Sequence, residues 1–430
     1  MTFYLNATRS VRKRSNLTKK LNTLIVAGGI VPEQMGGSHR IVFETAKRLA
    51  QRGHQVHVLV PQTGRNYPLE EEITDNMLVF RYPIKRGGKI KNGIFHILKS
   101  ATLFRRLCGQ HNYDILHFHS PLQAFCILFL KGITSVPTIY SLHSPCGKEY
   151  RSNIGTSNDR LLNKIFQKFK LNIYSEALKF IEKICLSRSK VIVVTSEFMK
   201  GQVAEEHGEK FLLKTIIIPG GCDISKFKPS EGKEKIRIKL GLPANKFIFL
   251  TVRRLVKRMG LENLIRAASY IRKKNRSFLI LIGGSGYLKE KLERMINELK
   301  LSESVKLLGF IKEERLPWFY QAADLFILPS VTLEGFGLST IESLATGTPV
   351  LATPVGGSIE ILSSLDKDLL FEDIGSLAIA RKILHYVNHP QKLQQIQEKC
   401  RSYVVERYSW EKITSQIERT YFRTLSTKDF

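Results

Sequence analysis

No stretch of this 430-residue chain approaches the roughly 18 consecutive apolar residues that a membrane-spanning helix needs. The longest candidate, Ala124 to Leu130, stops at Lys131, which excludes an integral membrane protein built of spanning helices. Cysteine is sparse: Cys108, Cys126, Cys146, Cys185, Cys222 and Cys400 contain no CxxC pair. Their scatter argues against a disulfide framework or a zinc site and fits a reduced, cytosolic protein. No apolar core opens the chain as a secretory signal would. Residues 1–20 instead carry Arg9, Arg12, Lys13, Arg14, Lys19 and Lys20 among Ser, Thr and Asn, leaving a transit peptide or a basic flexible arm, of which the arm is expected. A dinucleotide-type GxGxxG loop is also missing, so a plain nicotinamide-cofactor reading loses its support.

Acidic residues are in deficit throughout. Lys and Arg number 67 against 38 Asp and Glu, a formal net charge of +29. The first acid is Glu33, and none lies between Asp75 and Asp114, where Arg81, Lys85, Arg86, Lys89, Lys91, Lys99, Arg105 and Arg106 fall. From Leu161 to Cys185, apolar residues including Ile165, Phe169, Ile173, Ala177, Ile181 and Ile184 recur at helical spacing, with lysines between them. Such a stretch reads either as a helix lying on an anionic membrane surface or as a core-facing helix with a solvated basic face. Nucleic acid is not expected, because no zinc-finger spacing, helix-turn-helix pattern or aromatic-rich strand accompanies the charge. The expected location is cytoplasmic, with a peripheral position at the inner membrane face as a further expectation.

With 43% hydrophobic and 24% charged residues the composition is globular, and the length calls for two domains. Apolar strand-like runs alternate with helical patterns: strand Thr23–Ala27, helix Arg40–Arg52, strand Gln55–Val60, then strands Ile115–His119, Thr138–His143 and Val191–Thr195. The alternation restarts with strand Phe247–Val252 and helix Leu261–Lys274, and runs on to Pro349–Thr353. Strand–helix alternation means parallel sheets flanked by helices. The expectation is α/β, with a basic arm at 1–20, a first domain at 21–218, a second at 219–409 after Pro219-Gly220-Gly221, and a terminal helix at 410–430. Ligands of such sheets bind beyond the carboxyl ends of the strands.

There the sharpest constellation is Glu334-Gly-Phe-Gly-Leu-Ser-Thr-Ile-Glu342. Gly335 and Gly337 let backbone approach a ligand. Ser339 or Thr340 can cap the following helix, whose free N–H groups suit a phosphate. Two Glu residues flanking an anion cradle fit a sugar–diphosphate–ribose ligand. The plainer alternative is that Glu334 caps the helix and Glu342 lies on a solvated face.

The run from Leu328 to Val350, continuing to Gly356, Gly357 and Glu360, closely resembles the signature block of glycosyltransferase family 4, the large retaining GT-B family. The resemblance extends over almost all of residues 21–425. It implies two Rossmann-like, doubly wound domains facing across a cleft, the terminal helix after Tyr408-Ser-Trp410 crossing back to the first. It implies Glu334 on the donor sugar hydroxyls, Glu342 on the nucleotide ribose, and the backbone N–H groups of Phe336, Gly337, Leu338 and Ser339 on the diphosphate. Val252 to Gly260 resembles the family's phosphate-binding Arg…Lys motif, with Arg254 in the Arg position. Met259 stands where the family carries Lys, so Arg258, or failing it Lys257, supplies the second cation. Gly283-Gly284-Ser285-Gly286 resembles the turn below the nucleotide, and the segment at Phe310 the backbone that reads the base. Gly36 and Gly37 resemble the family's loop facing diphosphate and acceptor. His119 matches the strand-end His that contacts the reacting sugar, with His143 similarly placed, although a lone strand-end His is more often structural. Glu197 fills a Glu-containing turn of the family.

The implied activity is retaining transfer of a sugar from a nucleotide-diphosphate sugar to a hydroxyl of an acceptor glycan, lipid or small molecule, with a lipid-linked or membrane-surface acceptor favoured. His119, Glu334, Arg254 and Arg258 carry it. No cofactor and no metal are expected, since the one DxD triplet, Asp366-Lys-Asp368, reads as a surface turn. The alternatives are a nucleotide-sugar epimerase, or a non-catalytic GT-B module binding anionic lipid.

Overall fold

The computed structural model describes residues 19–64, 66–84, 89–130, 135–153 and 161–426. Apart from Lys19 and Lys20, the expected basic arm lies outside the described residues. Strands β1 (Asn22–Val26), β2 (Gln55–Gln62), β3 (Glu70–Thr74), β4 (Met77–Pro83), β5 (Ile115–Phe118), β6 (Thr138–Leu142), β7 (Val191–Val194) and β8 (Thr215–Ile217) form one sheet in the order β3-β4-β2-β1-β5-β6-β7-β8. Strands β9 (Phe247–Val252), β10 (Phe278–Gly283), β11 (Val305–Gly309), β12 (Leu325–Leu328) and β13 (Val350–Ala352) form a second, β11-β10-β9-β12-β13. Within the sheets, β3 alone runs antiparallel to its neighbour.

The central strands are apolar on both faces because helices cover both. Leu24, Ile25 and Val26 in β1 and Ile248, Phe249 and Leu250 in β9 are fully buried. The edge strand β3, Glu-Glu-Glu-Ile-Thr, has no such run and joins β4 through Asp75-Asn76. A charged edge of this kind resists pairing with another chain, and its polarity is why apolar patterning did not show it.

Strand order reverses beside β1 in the first sheet and beside β9 in the second, where β1 meets β5 and β9 meets β12. A reversal opens a crevice at the carboxyl ends of the two strands. The loops after β1, β5, β9 and β12 therefore converge, and the helix Trp410–Ser426 helps to fix how. It packs on the first-domain helix Gly37–Gln51, and Trp410, Ile413, Ile417 and Tyr421 join the core of the first domain. Its turn is pinned by two backbone bonds, Cys222 N to Tyr408 O at 2.7 Å and Trp410 N to Cys222 O at 3.2 Å. Trp410 lies against Gly221, where an added Cβ would stand 2.4 Å from the indole.

The helix Leu161–Arg188 meets the core with one face only. Leu178, Cys185 and Leu186 are buried, whereas Phe169, Ile173 and Phe180 face solvent.

Trp410→Ala should lower stability by about 3–5 kcal/mol, the usual cost of emptying a buried aromatic site. Urea unfolding followed by far-UV circular dichroism measures it, and a loss below about 1 kcal/mol would show that the crossing helix is not what joins the two halves.

Candidate functional site

The second-domain side of the crevice is assembled on three strand ends. Arg253 and Arg254 follow β9, the glycine turn follows β10, and the segment Ser330 to Gly337 follows β12. The glycine at 284 is demanded by this convergence: its φ is 132°, and a Cβ would stand 1.8 Å from the carbonyl oxygen of Arg253. Gly284 N donates to Gly309 O at 2.7 Å, tying the β10 and β11 ends together.

Glu334 is buried. One of its carboxylate oxygens accepts from the Arg253 guanidinium and, at 2.8 Å, from Ser330 Oγ. Burial alone would favour its neutral form, but Arg253, Ser330 and the more distant Arg258 hold its pKa below the ordinary value. It is therefore a carboxylate, and it does not cap the helix Leu338–Ala345. Neither Ser339 nor Thr340 does so either. The N-cap is Gly337 with φ 88°, without a side-chain cap bond, and Thr340 Oγ1 is buried with no partner among the described residues. The first N–H groups of this helix are thus left to other acceptors.

Glu342 lies one turn into that helix, its side chain only 8% exposed, which overturns the solvated-face alternative. Its carboxylate accepts from Arg40 Nη1 at 2.5 Å and from Tyr320 OH at 3.0 Å. Burial raises its pKa, with Arg40 pulling the other way and Glu313 adding to the rise. Arg40 comes from the opposite domain, beside the Gly36-Gly37 loop, and its other arm reaches Glu313 Oε2 at 2.5 Å. Lys226 also pairs with Glu313, at 2.6 Å.

The remaining cations sort by exposure. Arg258 is mostly buried and donates to Leu333 O at 3.0 Å, whereas Lys257 is exposed. Arg254 is half exposed and pairs with Glu149 of the first domain at 3.3 Å. Met259, at the family's lysine position, is buried, and its sulfur accepts from Arg253 Nε at 3.2 Å. Phe336 is buried, whereas the Phe310 side chain is exposed. Asp368, in the DxD triplet, is tied to Lys382 at 2.7 Å and to Tyr386 OH at 2.8 Å.

Across the crevice, the ends of β1, β5 and β6 enclose a cavity of about 160 Å³ lined by Ser38, His39, His119, His143 and Glu149, among others. His119 Nδ1 lies 2.8 Å from His143 Nε2. Beneath them His117 bonds Tyr421 OH at 2.8 Å and Ser141 Oγ at 2.7 Å. Burial pushes the pKa of His117 down to about 3 and of His143 to about 4. That of His119 is driven well below its ordinary value by burial and then by His117 and His143. All three are neutral at pH 7, and His119 Nε2 and His143 Nδ1 have no partner among the described residues. Neutral imidazoles with one open nitrogen can each hydrogen-bond a hydroxyl group.

The two sides touch. A Cβ on Gly335 would stand 2.7 Å from His143 O. Ser196 Oγ donates to Gly335 O at 2.7 Å, and the Glu360 carboxylate accepts from Glu197 N and Phe198 N at 2.9 and 2.8 Å. Glu360 thereby caps the N-terminus of the first-domain helix Glu197–His207. The structure brings Glu334, Glu342, Arg258, His119 and the Gly36-Gly37 loop to one crevice. Sequence reasoning passed over Arg40, Arg253, Tyr320 and Glu313. Arg40 opens an expected helix and Arg253 stands in the segment Val252 to Gly260, but no spacing rule pairs them with carboxylates some 300 and 80 residues away.

Residues 35–226 match the family model described as Glycosyltransferase Family 4, and residues 232–403 the one described as Glycosyl transferases group 1. The chain is 27% identical over 398 residues to an uncharacterized glycosyltransferase of Methanocaldococcus jannaschii, covering 91% of this chain and 95% of that one. It is 26% identical to a D-inositol 3-phosphate glycosyltransferase of Corynebacterium urealyticum, covering 91% of each chain. To an Escherichia coli UDP-Gal:alpha-D-GlcNAc-diphosphoundecaprenol alpha-1,3-galactosyltransferase it is 24% identical, with 92% and 95% covered. Among solved structures, sucrose-phosphate synthase from Thermosynechococcus elongatus superposes with a TM-score of 0.76 at 22% identity, over 94% and 98% of the chains. Anabaena HepE in complex with UDP gives 0.72 at 19%, over 94% and 100%. The fold is GT-B.

The buried histidines set a pH dependence. In the unfolded chain their pKa returns to about 6.5. The folded values lie lower, so below that pH the unfolded chain binds more protons and is favoured. Stability should therefore fall as pH drops from about 6.5 towards 4, by up to ~1.4 kcal/mol per pH unit for each histidine. Urea unfolding across that range, with His143→Asn beside the parent, checks it. The variant should show the shallower slope, and equal slopes would mean that the His143 imidazole is not held neutral.

Proposed function

The chain belongs to glycosyltransferase family 4, is a hexosyltransferase-type enzyme using a nucleotide-sugar donor, and from that premise we propose metal-independent, retaining transfer to a hydroxyl of a lipid-linked acceptor. One observation carries the reading: two buried carboxylates, Glu334 and Glu342, flank an uncapped helix N-terminus where the two domains meet. A non-catalytic module no longer applies.

Departure of a nucleoside diphosphate leaves negative charge on the phosphates and positive charge on the anomeric carbon. Stabilising the leaving group is the main electrostatic task. Arg254, Arg258 and the N–H groups from Phe336 to Ser339 supply donors for it, and guanidinium forks match phosphate oxygens two at a time. The DxD carboxylate Asp368 is spent on Lys382 and Tyr386, which supports transfer without a metal ion. Glu334 holds sugar hydroxyls and the open Nε2 of His119 a further one. Glu342 receives the ribose diol once Arg40 withdraws to Glu313.

Retention follows a front-face route in which the leaving phosphate oxygen takes the acceptor proton, and no protein nucleophile is needed. Closure of the domains excludes water from the donor. The lipid-linked acceptor is supported by the basic excess of the first-domain stretches 75–114 and 161–185 and by the E. coli relative named for a diphosphoundecaprenol substrate.

Glu334→Gln keeps the shape and removes the charge, and should lower kcat by about 10²-fold or more in a chain that circular dichroism shows still folded, with a lower melting temperature because Arg253 loses its partner charge. Turnover is read by nucleoside diphosphate release in EDTA, and the anomeric configuration of the product by NMR. Activity within about threefold of the parent would remove Glu334 from the donor site. An inverted product, or loss of turnover in EDTA, would overturn the route.

A further inference from the structure

The helix Leu161–Arg188 has two apolar faces, and the fold uses only one. Leu178, Cys185 and Leu186 are buried, and Glu182 between them accepts from Cys146 N at 3.2 Å and meets His207 at 3.0 Å. Phe169, Ile173 and Phe180 are 62%, 55% and 63% exposed. At about 100° per residue these three fall within ~40° of one another and roughly opposite Leu178. Aligned exposed aromatics of this kind mark a surface that meets something.

The surroundings say what. Lys170 and Lys183 flank the stripe and are exposed, while the acid beside it, Glu176, is paired with Arg151 at 2.5 Å. The short helix Pro121–Ile127 packs against both this helix and Lys89–Gln110. The latter exposes Ile94 and Leu98, with Arg105 also exposed along it. Apolar and basic groups thus recur together on two first-domain helices that share a packed neighbour. A second copy of a chain carrying +29 would bring like charges face to face. A bilayer with anionic headgroups answers both components, apolar side chains to the acyl boundary and lysines to phosphates.

We propose that this face docks on an anionic phospholipid surface, with Phe169, Ile173 and Phe180 entering the headgroup–acyl boundary. The placement serves the transfer reaction. Glu182, on the buried side of this helix, and Glu149, on the adjoining helix Cys146–Asn153, both line the cavity beside His119. Docking therefore brings the acceptor side of the crevice to the membrane. The proposal rests on the lipid-acceptor reading for its purpose but not for its test.

The test is co-sedimentation with vesicles of phosphatidylglycerol and phosphatidylcholine, against phosphatidylcholine alone, for the full chain and for Phe169→Ser/Ile173→Ser/Phe180→Ser. Nucleotide-induced thermal shifts of both proteins verify folding and report the donor site separately. The parent should bind the anionic vesicles, the triple variant at least tenfold more weakly, and Lys170→Ala/Lys183→Ala should bind more weakly at low salt. No binding by the parent, or equal binding by parent and triple variant, overturns the proposal. So does a parent that is dimeric and a triple variant that is monomeric with unchanged vesicle binding, since the face would then be a self-association surface. A parent that binds vesicles but shows no nucleotide shift would sink the donor-site reading and leave the docking face standing.

Discussion

Two carboxylates taken out of water have to be answered by cations, and that requirement organises the seam of this protein. Removing one partner of a buried ion pair costs about 3–5 kcal/mol. Glu334 is answered within its own domain by Arg253, and Glu342 across the crevice by Arg40. The first pairing keeps the donor-side loop in shape. The second makes the relation between the domains depend on the charge of Glu342. Arg40 also holds a second carboxylate, Glu313, so its guanidinium is answered twice at the seam.

The sheet topology places this chemistry. Each sheet reverses its strand order once, and the loops at the two reversals face one another. On one side burial keeps three histidines neutral. On the other, arginines keep Glu334 ionised. The crevice thus keeps neutral hydrogen-bonding groups on one wall and fixed positive charge on the other. Tyr421, from the helix that returns from the second domain, holds His117 in place beneath His119, so the crossing helix serves the site as well as the fold.

Much of this was legible in the sequence. The buried parallel strands announced themselves as β-branched runs, and β9 and the helix Leu261–Lys274 fell where periodicity put them. The motif Glu334 to Glu342 marked the crevice. What was hidden was partnership: Arg40 is a polar residue in a helix, and only the closed arrangement of two domains tells it apart from a solvated one. The edge strand β3 was hidden because Glu-rich edges lack an apolar face. The helix Leu161–Arg188 was legible only in part, because helical spacing of apolar residues does not say which face the core takes when a helix carries two.

The account stands on the crevice being a nucleotide site in which Glu342 receives the ribose. Calorimetric titration of UDP, GDP and ADP in EDTA, into the parent chain and into Glu342→Gln, tests this most directly. The account predicts that one of the three binds the parent without metal and binds the variant at least tenfold more weakly, while the variant stays folded. No binding by any of them, or equal binding to both proteins, would contradict it.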